Sequence, residues 1–352
     1  MTTNNLSNAK ETKKVVLGQF FTKDNVWLRP QIVEFIKNTK AYVAYDPFAG
    51  AGHLLNAAKN KLSFEKTVGL DIDETLHWNV NDSLISIPHI DNSIIITNPP
   101  YISNYSASRK KVGENLKKYF DSSVYDDVYF IALDKMLDAQ EYVVAIVPET
   151  FINSSYRRKN LLHSITILEE SPFDDTDAPV VVLCFDSVVK NFDEIKIYKN
   201  DTFIDLLGNI ESLRLIPNNS VKMTFNDRQG WLGVRCVDST DPTDMLRFDF
   251  KNNIDYDWDN GIKVSSRLLT LISIDVPESK KQDFINCCNK ILVDTRIKTA
   301  DIIFSPFKGN MKNGVRRRRL DFKTCRAIIE SAYQQINNSE IEEKKNEQLS
   351  LF

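Results

Sequence analysis

Ser93-Ile94-Ile95-Ile96-Thr97 is a run dominated by β-branched side chains, and it stops at Asn98-Pro99-Pro100-Tyr101. β-branched residues pack well on a pleated surface. A continuous apolar run, with no polar alternation, fits a strand buried on both faces, as in a parallel sheet. The two prolines have no N–H and a fixed φ, so the strand ends at Asn98 and the loop beyond it is stiff. Open α/β sheets place their ligand chemistry at such strand ends. Asn98 offers one acceptor and two donors there, and Tyr101 offers a flat ring. Together they suit a planar amino group, although an ordinary Asn-Pro turn has the same composition.

The same pattern recurs along the chain. Strands are predicted over 41–45, 67–70, 142–147, Val180–Phe185 and 194–198. Helices are predicted over 53–60 and 125–137, and over a segment ending at Asn38 that either Asp24 caps or Pro30 begins. Strand–helix alternation of this kind predicts a doubly wound, mostly parallel sheet. Beyond Asn200 periodicity weakens and Asn and Asp become frequent. The expected organisation is a disordered N-terminus over 1–16, a catalytic domain over 17–200, a second α+β domain over 201–335 and a charged tail over 336–352 that frays from a helix.

The net charge of −3 argues against a uniformly basic surface, but the charge is segregated. Residues 296–326 hold ten Lys or Arg against two Asp, a net of +8, and residues 238–259 hold seven Asp against Arg247 and Lys251, a net of −5. Local patches matter more than the total for binding phosphates. Lys308, Lys312 and Arg316-Arg317-Arg318-Arg319 form a turn-rich basic block read as a phosphate contact, and Arg109-Lys110-Lys111 after the Pro-Pro loop is a second candidate. A solvated surface is the default alternative for both. Cys184, Cys236, Cys287, Cys288 and Cys325 form no CxxC pair and read as reduced thiols of a cytoplasmic protein without zinc. No apolar run approaches the roughly 18 residues that span a bilayer, so no membrane association is expected.

Three acids precede the Pro-Pro loop at successive strand ends. Asp46 opens Asp46-Pro47-Phe48-Ala49-Gly50-Ala51-Gly52, a small-residue turn into a helix where a backbone can approach a ligand closely. It is neither a P-loop nor GxGxxG. Asp46 suits an ammonium or sulfonium group. Asp71, 25 residues later, can accept from ribose hydroxyls, and Asp82 from an adenine amino group. One such Asp is usually a cap, but three in series point to a ligand.

With these motifs the chain resembles the S-adenosylmethionine-dependent DNA adenine-N6 methyltransferases, in the arrangement with cofactor motifs first and a target-recognition domain last. Residues 18–22, with Phe20 and Thr22, are similar to the family's N-terminal cofactor motif. Asp46, Phe48, Gly50 and Gly52 fall in its Gly-rich motif, Asp71 matches its ribose acid and Asp82 its adenine acid. Asn98, Pro99, Pro100 and Tyr101 match its catalytic motif, with Asn98 also a cofactor-binding candidate, and Phe173 falls where the family has an aromatic that stacks on the target base. The resemblance covers roughly residues 17–190. Ser83 departs from it, because a bulky apolar residue often contacts the cofactor adenine there.

The resemblance implies a seven-stranded class I methyltransferase sheet, S-adenosyl-L-methionine as cofactor and a flipped-out adenine in double-stranded DNA as substrate. Tyr101 and Phe173 would sandwich the base. Asn98 and the Pro99 carbonyl would accept hydrogen bonds from its amino group. It further implies a restriction-modification context, with a cognate endonuclease acting on the same site, and a monomer. The competing classes are a protein-glutamine or RNA methyltransferase, which can share Asn-Pro-Pro-Tyr, and a catalytically silent DNA-binding subunit.

Overall fold

The computed structural model describes residues 26–109, 113–173, 176–258 and 268–349, with the backbone only at 109, 115 and 338–349. Phe20, Thr22, Asp24, the expected disordered segment 1–16, Lys110 and Lys111 lie outside these residues. The chain divides into two compact units between Asn209 and Ile210.

In the first unit, helix α1 (Pro30–Asn38) begins at its proline and buries Ile32, Phe35 and Ile36. Proline suits that position because its N–H would have no helical partner and its φ is preset. The succeeding elements are β1 (Val43–Asp46), α2 (His53–Leu62), β2 (Lys66–Asp71), β3 (Asn79–Val80) and β4 (Ser93–Thr97). Then come α3 (Asn104–Arg109), α4 (Gly113–Asp121), α5 (Val128–Ala139), β5 (Val143–Pro148), β6 (Leu162–Ile167), β7 (Val180–Phe185), β8 (Lys196–Lys199) and β9 (Thr202–Leu206), and the division between the units falls within the short α6 (Leu207–Ser212).

The strands form one sheet in the order β3-β2-β1-β4-β5-β7-β6-β8-β9. Neighbours from β3 to β5 are parallel, and so are β6 and β8. β7 runs antiparallel to β5 and β6, and β9 antiparallel to β8. Strands β1, β4 and β7 are buried at every position, as expected of strands covered on both faces. Alternate residues of four strands (Ala44; Ile94 and Ile96; Val144 and Ile146; Val180, Val182 and Cys184) share one core with Phe35 of α1 and Leu55 of α2.

The sheet is the expected α/β, mostly parallel one, but it has nine strands rather than seven. β6, Leu-His-Ser-Ile-Thr-Ile, mixes polar and apolar residues and carries a weak strand signal. β9 follows a two-residue turn at Asn200-Asp201, where Asn200 has φ +50. Asn tolerates the left-handed region that tight hairpins need. The same polar pair reads in sequence as the end of a domain, and the sheet in fact continues to Leu206.

The second unit contains an antiparallel sheet in the order β10-β13-β11-β12, from β10 (Met223–Phe225), β11 (Leu232–Arg235), β12 (Arg247–Phe250) and β13 (Leu269–Ile274). Helix α7 (Lys281–Lys298) packs on β12 and on α8 (Phe322–Leu349). Between the helices lies a separate hairpin, β14 (Ser305–Asn310) with β15 (Arg316–Arg319). The helical backbone of α8 reaches Leu349, through most of the expected tail.

A fully buried Asp238 joins this unit. It accepts two hydrogen bonds from Arg296 (2.9 and 3.0 Å) and the backbone N–H groups of Leu246 (2.9 Å) and Arg318 (2.8 Å). Arg296 also binds Asp301. A buried ion pair broken from one side leaves an uncompensated charge. Asp238→Ala is therefore expected to destabilise the fold by about 3–5 kcal/mol in urea denaturation.

Candidate active site

The chain builds β1, β2 and β3 outward on one side, then returns to the other side of β1 to place β4. The two helical connections diverge at this reversal, which leaves a crevice at the carboxyl ends of β1 and β4 where open α/β sheets bind ligands. Asp46 is the last residue of β1 and Asn98 directly follows β4. Both line one pocket of about 970 Å³, measured with its solvent-open mouth.

That pocket gathers six of the nine cofactor candidates: Asp46, Phe48, Gly50, Asp71, Asp82 and Asn98. Gly52 stands behind the turn, and Phe20 and Thr22 are outside the described residues. Of the catalytic motif, Asn98 and Pro100 line the pocket, while Pro99 is buried.

The turn after β1 is held from several sides. Gly50 has φ +51 and Gly52 φ +80, conformations that favour glycine. The Gly50 N–H donates to Asp71 Oδ2 (2.8 Å), and the Trp78 indole donates to the Gly50 carbonyl (2.8 Å). A Cβ at Gly69 would lie 2.4 Å from the Trp78 ring, and one at Gly52 2.7 Å from it. Both positions therefore need glycine so that this ring can wedge the turn against β2. Trp78 gave no signal in sequence, because its partners are 9 and 26 or more positions away.

Asp46 is buried at 2% exposure. Its Oδ1 accepts from the Thr97 hydroxyl (2.6 Å) and the Phe48 N–H (3.0 Å). Burial pushes its carboxyl up to about 7, against the lowering effect of those two bonds, with a further upward push from Asp71. Asp71 accepts Gly50 N–H on one oxygen and Asp73 N–H (2.9 Å) on the other. Each carboxylate oxygen has a further lone pair for a ligand hydroxyl.

Asp82 is engaged by the fold: its Oδ2 accepts from Lys118 Nζ (2.9 Å) and the Tyr119 hydroxyl (2.8 Å). Tyr119 itself lines the pocket with Ile72, Leu76 and Leu84. Ser83, the departure noted in sequence, is 3% exposed, and these four side chains form the apolar wall instead. Tyr119 belongs to a small separate core of Ile102, Ala107, Leu116, Phe120, Val128 and Ile131, which ties α4 to α5. Leu116, Tyr119 and Phe120 lie three and four positions apart, on one face of α4.

The aromatic pair differs from the expected sandwich. Phe173 is 2% exposed and belongs to the main core. Its ring meets Tyr101 edge-on, with centroids 6.3 Å apart and planes at 63°. No open slot for a planar base lies between them, because the core occupies one side of the pair. The Tyr101 hydroxyl contacts Asn98 Oδ1 and the Ile146 carbonyl (2.7 Å).

The basic candidates also separate. Arg316 and Arg318 turn inward, at 6% and 2% exposure, so strand alternation leaves Arg317 and Arg319 on the other face of β15. Expecting all four to meet phosphate overlooked that alternation. Lys308 and Lys312 are exposed, and Arg109 is described as backbone in α3. Among the described residues no His, Cys, Asp or Glu cluster has the geometry to hold a metal, and no helix is long and apolar enough to cross a membrane. The five cysteines are free thiols.

The raised Asp46 value makes its charge a cost to folding. An unfolded Asp titrates near 3.9. Between about pH 4 and 7 the folded chain holds a proton that the unfolded chain releases, so this contribution to stability falls as pH rises. Above pH 7 the full cost is present, at most about 4 kcal/mol. Asp46→Asn is expected to raise the melting temperature relative to wild type at pH 8, and to do so far less at pH 4.

No curated protein matches the chain. Similar solved structures include a class I S-adenosylmethionine-dependent methyltransferase from Listeria monocytogenes (16% identity, 49% of this chain and 64% of that one, TM-score 0.37). A type I restriction enzyme modification subunit from Vibrio vulnificus (17% identity, 55% and 50%, TM-score 0.38) and a type I restriction-modification methyltransferase subunit from Streptococcus thermophilus (15% identity, 55% and 52%, TM-score 0.38) are others. The chain thus spans about half to two thirds of the length of these proteins. Residues 26–176 match the family model of the Eco57I restriction-modification methylase, and every residue lining the pocket lies within that segment.

Proposed function

We propose that the chain is an S-adenosylmethionine-dependent methyltransferase that modifies N6 of adenine in duplex DNA, as the modification enzyme of a restriction-modification system. The observation that carries this reading is the meeting of Asp46, Asp71, Asp82 and Asn98 in one crevice at the strand-order reversal. The match of residues 26–176 to a restriction-modification methylase family supports it.

The residues present fit the cofactor. Asp46 faces its ammonium group, Asp71 its ribose hydroxyls, and Asp82 with Tyr119 and Leu84 its base. When bound, S-adenosylmethionine supplies an electrophilic methyl group on a sulfonium. The protein supplies placement and fixed dipoles, because amine methylation needs no strong base at the acceptor.

Asn98 accepts a hydrogen bond from the adenine amino group, and the Pro99 carbonyl accepts a second, which turns the nitrogen lone pair toward the methyl carbon. The Tyr101 hydroxyl has one proton for two acceptors. The Ile146 carbonyl can only accept, whereas a half-turn of the Asn98 carboxamide lets its N–H donate to the phenol. Tyr101 then holds Asn98 with its oxygen toward the substrate. Phe173 supports the Tyr101 ring from its edge, so Tyr101 alone offers the stacking face. Extrusion of the base costs a few kcal/mol, and stacking on one aromatic ring offsets about 1–3 kcal/mol of this. Lys308, Arg317, Arg319 and the segment 109–111 supply phosphate contacts. A cognate endonuclease would act on the same sequence.

Purified protein given methyl-labelled cofactor and unmodified duplex DNA is expected to produce N6-methyladenine. Label on cytosine, RNA or a protein glutamine, with DNA adenine unlabelled, would sink the proposal. Asn98→Ala should hold the cofactor within a fewfold of wild type while transfer falls by about 10²–10³, the usual effect of removing one fixed dipole from a reacting centre. Cofactor affinity in the wild type should rise as pH passes upward through about 7, because Asp46 must lose its proton to meet a cation. Titration calorimetry of Asp46→Asn should show weaker binding without that rise.

A further inference from the structure

The hairpin of β14 and β15 is held to the second unit along β15 and at its turn. The Arg318 N–H donates to the buried Asp238 carboxylate, Arg317 Nε donates to the Asp238 carbonyl (2.7 Å), and the Lys312 N–H donates to the Thr240 carbonyl (2.9 Å). Met311 is buried at 4% exposure and its N–H donates to the Val315 carbonyl (2.8 Å), which closes the turn. The Arg317 guanidinium rests 4.8 Å from the Phe307 ring centre.

What this anchored hairpin presents outward is polar and open. Lys308, Asn310, Lys312 and Asn313 are exposed. Gly309 and Gly314 have φ +77 and +83, and a Cβ added at either would meet nothing within 4 Å. The exposed Asn313 accepts from Val315 N–H (3.1 Å) on its carboxamide oxygen, so its amino group takes no part in that bond. Asp241, whose carboxylate feels Lys312, is held chiefly by the Thr243 N–H and hydroxyl.

We infer that this hairpin is the base-reading element of the protein, inserted into the major groove of duplex DNA. The inference rests on the DNA reading proposed above. A two-stranded ribbon fits a major groove about 12 Å wide. Asn and Lys are the side chains that pair with adenine and guanine edges there. Asn310, Lys312 and Asn313 read bases, and Lys308 and Arg317 contact phosphate on the flanks. The anchoring through Asp238 and Thr240 holds the reading atoms in place before binding, as specific recognition requires.

The test maps methylated adenines on long unmodified duplex DNA for the full chain and three variants. Asn313→Asp keeps the acceptor for Val315 but removes the amino donors, Lys312→Ala removes the tip cation, and Lys308→Ala removes a flanking one. None is buried, and an unchanged urea-denaturation midpoint checks the fold. Asn313→Asp and Lys312→Ala are expected to lose discrimination by tenfold or more at particular positions of the recognition sequence. Lys308→Ala should weaken all sites equally and lower the salt slope by about one. If the wild type methylates one sequence and both tip variants keep it with full discrimination, the hairpin assignment is overturned alone. If the wild type leaves duplex adenine unmodified, the proposed function falls and the hairpin assignment with it.

Discussion

The hydrogen bond from the Thr97 hydroxyl to the Asp46 carboxylate ties together the two strand ends on which the site depends. β1 and β4 are neighbours in the sheet but far apart in the chain, and the strand order reverses between them. One carries the Gly-rich turn and the other carries Asn-Pro-Pro-Tyr. A buried carboxylate in this position is costly, and its carboxyl sits near neutrality as a result. A cation placed against it would relieve that cost, so the destabilised group is also the one best suited to a charged ligand.

Around this joint the fold uses different means on its two sides. Around the Gly-rich turn backbone geometry dominates. Positive-φ glycines, the Trp78 wedge and two N–H donors set the Asp71 carboxylate before any ligand arrives. On the far wall the means are side chains from a helix that follows the Asn-Pro-Pro-Tyr loop. Lys118 and Tyr119 of α4 reach back to Asp82, so the loop bearing Asn98 and the wall of the pocket belong to one continuous segment. A rigid turn and a helical cap together give a preorganised site, which lowers the ordering cost of binding.

Asn98 was legible in sequence because it ends a β-branched run, and Asp46 and Asp71 because each closes a short, mostly apolar segment that reads as a strand. The side chains that complete the site were not. Trp78 and Tyr119 act through contacts distant in sequence, and an apolar helix position looks the same whether it faces core or ligand. Phe173 was placed by its motif, yet its burial against Tyr101 follows from packing between β7, the strand it precedes, and the rest of the core. β6 and β9 were missed because alternating or short strands carry little signal, and because Asn200 reads as a boundary until its hairpin partner is known.

Local sequence determined the strand and helix types, the stiff Asn-Pro-Pro-Tyr loop, the acids at the strand ends and the basic character of residues 296–326. These follow from side-chain shape, proline chemistry and charge, all of which act within a few residues. Tertiary structure alone decided that Asp46 and Thr97 meet, that Tyr119 joins the pocket wall from a later helix, and that Arg316 and Arg318 turn inward while Lys308 and Lys312 stay exposed. Those outcomes depend on strand order, register and burial, which the whole chain sets through non-local packing.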